Sequence, residues 1–180
     1  YFNFKSNIYE QFQRFFTFFK YKRFFMQKNI YHIKKHLISR DIIFPNQIEK
    51  DFTNLKNILA YWGSDSFLIK MDIEGNEYRV LDDIIENQEN MIGLVIEFHD
   101  CDLMSDKIQN FIEKIDLDLV HIHVNNFCST TKNNFPTVFE LTFSAKKYNS
   151  KRGINEFNFP DKKIDQPNNR DETDQKILFY

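Results

Sequence analysis

Glycine is scarce in this chain, with four among 180 residues, at Gly63, Gly75, Gly93 and Gly153. A backbone that must approach a phosphate or a cofactor closely uses glycines set a residue or two apart, and no GxG precedes Asp72. Cysteine is scarcer still. Cys101 and Cys128 form neither a CxxC pair nor a disulfide framework, which suits a reducing, cytoplasmic setting. No uncharged apolar run approaches the ~20 residues that span a bilayer, so no transmembrane segment is expected, and no signal-peptide pattern is visible. Internal repeats, long linkers and an HExxH zinc motif are also missing.

A chain of this length holds one domain with a real core. The net charge of -2 excludes a general polyanion binder, and with it nucleic acid as a partner. Charge is uneven, however. Residues 1–50 carry ten Lys/Arg against three acids, whereas residues 65–118 carry fifteen acids against four bases. The asymmetry reads either as a field that steers an anionic ligand or as the basic and acidic surfaces of one domain.

From Ile8 to Met26 aromatic residues recur at helical spacing with Arg14, Lys20, Lys22 and Arg23 between them, so 1–45 is expected to be an aromatic, basic helical segment. Such a helix covers a sheet or lies on a membrane surface. Asn46 to Tyr61 predicts a second helix. After Gly63 the period changes: "SFLIKMDI" predicts a strand, "EYRVLDDII" a helix over 76–86, and "MIGLVIEF" a strand covered on both faces. "DKIQNFIEKI" adds a helix, and "LDLVHIHV" and "TVFELTFSA" two more strands. The pattern predicts an α/β fold, a mostly parallel sheet with a final antiparallel strand, over 46–146. Residues 147–180 are polar and predict an extended tail.

Ligands in open α/β sheets bind beyond the carboxyl ends of the strands. Asp72 and Glu74 end the first strand, Glu97, His99 and Asp100 the second, and His121, His123, Asn125 and Asn126 the third. Alternation along a strand puts Glu97 and His99 on one face, and His121, His123 and Asn125 on one face. Unpaired carboxylates are costly to bury, so such a cluster points to a site. Gly75 permits a tight turn there, and Asp72, Glu74 and Glu77 also suit the start of the following helix.

"LIKMDIEGNEYRVL", residues 68–81, resembles the strand-turn-helix signature of FkbM-family S-adenosylmethionine-dependent methyltransferases, Asp-x-Glu-Gly-x-Glu behind an apolar strand. "LVIEFHD", "VHIHVNN", "PTVFELTFS" and the tail "FPDKKIDQPNN" are similar to the family's later segments in matching order. The resemblance implies a Rossmann-like class I methyltransferase sheet and O-methylation of a sugar, glycan or other small metabolite. It also implies that Asp72 ends the fourth strand, near the methyl group or the acceptor. Asp72, Glu74 and Gly75 would then touch the cofactor, and His121, His123, Asn125 and Asn126 the acceptor. His99 or Asp72 would act as general base, with Glu97 beside them. By analogy with catechol-type enzymes, Asp72, Glu97 and Asn125 would hold Mg²⁺. With aromatic sequence where the cofactor strands belong, and Tyr1 first, the sheet is expected to be N-terminally incomplete, a piece of a longer protein. The competing readings are a catalytically inactive interaction domain docking through its aromatic helix, and a metal-dependent hydrolase.

Overall fold

A computed structural model describes residues 20, 22–24, 26–27, 31, 35–39, 52–62, 65–149 and 159–177. The chain divides into two compact units, Tyr1–His36 and Leu37–Tyr180. In the first, Lys20 and Lys22–Phe24 are helical and the Met26 amide donates to the Lys22 carbonyl at 3.1 Å. Of the rest of the helical segment expected over 1–45, residues 36 and 37 are extended instead, because they pair as a short strand, and residues 1–19, 21, 25, 28–30, 32–34 and 40–45 lie outside the described residues.

The second unit is α/β. Two short strands, β1 (His36–Leu37, whose first residue is the last of the first unit) and β2 (Phe52–Thr53), form a small sheet of their own. Helix α1 (Leu55–Trp62) begins later than Asn46. Its start is set by Asn54, whose Oδ1 accepts from the Asn57 amide at 2.8 Å, the bond of an N-cap. Then come β3 (Phe67–Met71), a 3₁₀ turn (Glu77–Arg79), α2 (Leu81–Glu86), β4 (Met91–Phe98), α3 (Cys101–Lys114), β5 (Leu117–Val124) and β6 (Phe139–Ala145).

The helix expected over 76–86 is thus broken at Val80. A 3₁₀ turn repeats every three residues, so Glu77 and Val80 both face inward, and the break then seats Leu81 and Ile84 in the core.

Four strands form one mixed sheet in the order β3-β4-β6-β5. β3 runs parallel to β4, and β6 lies antiparallel between β4 and β5. One face carries the core: Leu94, Ile96 and Phe98 of β4 and Leu141 and Phe143 of β6, packed on Ile108 and Phe111 of α3. Phe111 meets Phe98 and Phe143 edge-on, with ring centroids at 6.1 and 5.8 Å. β4 is not sealed equally on both sides as its apolar run suggests, because Ile92, Val95 and Glu97 are only half-buried.

That second face is polar, and a bulge decides its membership. Register slips between Leu119 and His121, so His121 stands opposite Thr142 and His123 opposite Glu140. Without the extra residue both histidines would share the face of Leu117 and Leu119; with it they join Glu97, itself opposite Glu140.

Candidate functional site

Beyond β3 the chain reverses tightly. The Asn76 amide donates to the Ile73 carbonyl at 3.3 Å, and the two residues between, Glu74 and Gly75, have φ of 55° and 91°. Positive φ at both central positions favours glycine strongly, and Gly75 supplies one of the two.

Glu77 holds this turn from inside. It is fully buried, and its Oε1 accepts from the Ile73 amide at 3.0 Å and the Gly75 amide at 3.2 Å. The same oxygen lies 3.1 Å from Nδ1 of His99. Its Oε2 is buried with no hydrogen-bond partner among the described residues. An acceptor-only carboxylate fixes Nδ1 as the donor, so a neutral imidazole carries its lone pair on Nε2. Nε2 faces outward, 3.5 Å from Glu74 Oε2 and 3.9 Å from Glu97 Oε1. The His99 backbone is held too, its carbonyl accepting from the Tyr78 hydroxyl at 2.5 Å. Burial pushes the Tyr78 phenol far above its usual range, so it stays a donor.

Asp72, Glu97 and His99 each bring one ligand-capable atom within 4.8 Å of the others. Asp72 is exposed, whereas Glu97 and His99 are mostly covered. Asn125 stands behind Glu97 and donates its Nδ2 to Glu97 Oε1 at 2.9 Å, while its Oδ1 accepts from the Phe127 amide at 3.0 Å. With Asn125 so engaged, the third ligand-capable group beside Asp72 and Glu97 is His99.

The other strand-end residues meet the C-terminal segment. His121 Nε2 lies 2.7 Å from Asp165 and His123 Nε2 lies 3.0 Å from Asp174. Asn126 takes the Asn169 amide on Oδ1 at 2.6 Å and gives Nδ2 to the Asn169 carbonyl at 3.0 Å. The segment closes on itself where Phe159 pairs with Ile177, and Phe159 packs edge-on against His121. Residues 159–177 are therefore strapped over the polar face. Between strap and sheet lies a polar cavity of about 260 Å³, bordered by Glu97, His123, Asn125, Glu140, Gln166 and Asn168. A larger cavity of about 760 Å³ and mixed lining runs along β3, bordered by Leu55, Phe67 and Ile69 and by Lys70, Asp72 and Glu86.

Of the predicted residues, the structure gathers Asp72, Glu74, Glu97 and His99, with Asn125 adjoining. Gly75 shapes the turn, and His121, His123 and Asn126 bind the strap. Glu77, read from sequence as a helix-start acid, does stand in the first turn of the 3₁₀ segment, and it is also the buried hub of the cluster. Its signal is its place as the third acid of Asp-x-Glu-Gly-x-Glu. Neither thiol is a ready nucleophile, since burial pushes Cys101 up to about 12 and raises Cys128 as well. No family model, curated protein or solved structure matches the chain.

Proposed function

We propose that this chain is part of an S-adenosylmethionine-dependent O-methyltransferase of the FkbM type, acting on a hydroxyl of a sugar or other small metabolite. The observation that carries the reading is where the Asp-x-Glu-Gly-x-Glu stretch lies. It follows a strand parallel to β4, in a sheet whose last strand in sequence, β6, is the antiparallel one. That is the order the resemblance implies for the C-terminal part of a class I sheet. The acids and the imidazole gather at the carboxyl ends of β3 and β4, where such sheets bind ligands.

Methyl transfer to a hydroxyl needs the oxygen in line with the sulfonium and a group to take its proton. S-adenosylmethionine supplies the activated methyl when bound. His99 is the candidate base, because Glu77 fixes its tautomer and turns Nε2 toward the cleft. Glu97 lies 3.9 Å from that nitrogen, Asp72 has a carboxylate oxygen within 4.8 Å of a ring nitrogen of His99, and the two acids would orient the acceptor. The polar cavity under the strap fits a hydroxylated acceptor better than an apolar one.

Calorimetry of the complete protein with S-adenosylmethionine, followed by transfer of labelled methyl to a panel of sugars, tests the reading. Binding with turnover supports it. Failure of the folded protein to bind the cofactor would overturn it in favour of an inactive interaction domain.

A further inference from the structure

Four carboxylates surround one imidazole at the ends of β3 and β4. Asp72, Glu74 and Glu97 approach its outer side and Glu77 its inner side. Lys70, whose ammonium feels Asp72 and Glu97, is engaged with Glu140 at 3.0 Å. Glu77 adds a separate observation. Its carboxyl group is wholly buried, is aimed at His99, and keeps Oε2 unpartnered among the described residues. A buried carboxylate bonded to the far nitrogen of a histidine is the arrangement that orients metal-binding imidazoles and raises their basicity.

We propose that Asp72, Glu97 and His99 bind one divalent transition-metal ion, with Glu77 as the positioning residue behind His99. Donors about 2.1 Å from a common ion stand roughly 3 to 4.2 Å apart. The three atoms already lie within 4.8 Å, and the exposed side chain of Asp72 has the freedom to close the difference. One nitrogen and two carboxylates suit Zn²⁺ or Mn²⁺ better than Mg²⁺, which prefers oxygen alone. Asn125, hydrogen-bonded to Glu97, would steady a ligand rather than be one. An imidazole that ligates an ion cannot also take a proton at Nε2. The ion would therefore move His99 from base to ligand and leave acidification of the acceptor hydroxyl to the metal. That last point rests on the methyltransferase reading; ion binding itself does not.

Titration of the full chain with ZnCl₂, MnCl₂ and MgCl₂ by calorimetry, near neutral pH, tests the site. One ion per chain is expected, bound in the order Zn²⁺, Mn²⁺, Mg²⁺. Glu77→Gln leaves all three ligands and should weaken Zn²⁺ by about 10–100-fold. Glu97→Gln should weaken it further, and His99→Ala should also erase the preference over Mg²⁺, with circular dichroism confirming that each variant is folded. No stoichiometric ion in the folded wild type would overturn the proposal, as would Zn²⁺ binding unchanged in His99→Ala and Glu97→Gln, which would mark an adventitious ion on other histidines. Ion binding without methyl transfer would sink the methyltransferase reading alone. Turnover undiminished in excess EDTA would sink the ion's part in acidifying the acceptor alone.

Discussion

Glu77 concentrates three structural duties on one oxygen: it closes the backbone at Ile73, closes it again at Gly75, and holds His99. Removing the acceptor strands three donors in a mostly buried place, so Glu77→Ala should lower stability by about 2–4 kcal/mol, read as a shifted urea midpoint at unchanged slope. Gly75→Ala tests the turn without touching the carboxylate. At φ 91° an added Cβ is strained although space is available, since the nearest other atom would be 3.9 Å away, so a loss of about 1–2 kcal/mol is expected. A loss below the error of the urea fit would show that the strain is not in the backbone. At the thiols, Cys101 is buried, its pKa pushed up to about 12 by burial, whereas Cys128 is partly accessible. Iodoacetamide at mild alkaline pH should label Cys128 first, and mass mapping of a partly reacted sample checks this.

Among the elements, the strands were legible and one of their faces was not. Apolar runs mark β4, β5 and β6 nearly to the residue, because burial of a strand's side chains leaves a period that can be counted. The bulge in β5 leaves a fainter mark. "LDLVHIHV" breaks its alternation once, at the adjacent Leu119 and Val120, and the pairing with β6 shows that one residue is passed over there. The C-terminal segment was hidden for a related reason. Its polarity reads as solvation, yet its acids are partners for His121 and His123 at a distance in sequence that no local pattern encodes. Two histidine-aspartate pairs and the Asn126 bridge should keep trypsin from Lys162, Lys163 and Arg170. Asp165→Asn with Asp174→Asn should then speed cleavage there several-fold while costing the whole fold only about 1–2 kcal/mol. Equal cleavage rates in variant and wild type would mean that other contacts hold the segment.

For the Leu37–Tyr180 unit as a whole, one core joins the sheet to its helices, and Phe98 stands at its centre between Tyr78, Phe111 and Phe139. Phe98 also immediately precedes His99, so core and site share a backbone. Phe98→Ala should cost about 3–5 kcal/mol and weaken zinc binding along with it, whereas Phe143→Ala, deeper along the sheet, should cost a similar amount with less effect on the ion. Paired melting curves with and without Zn²⁺ separate the two. What the sequence could not display at this scale is how its acids divide. Asp72 and Glu77 are both acids of one short motif, but one is exposed and the other sealed, and only the packed core tells them apart.

The amides of Ile73 and Gly75 end on the oxygen that also grips His99. Anything that draws on the imidazole from its outer side pulls on Glu77 and so on those two N–H groups. Their deuterium uptake is therefore a built-in meter of the cleft, legible by mass spectrometry before any substrate is known. A ligand that reaches Nε2 should slow exchange at positions 73 and 75 together, and one that binds only beneath the C-terminal strap should leave both rates alone.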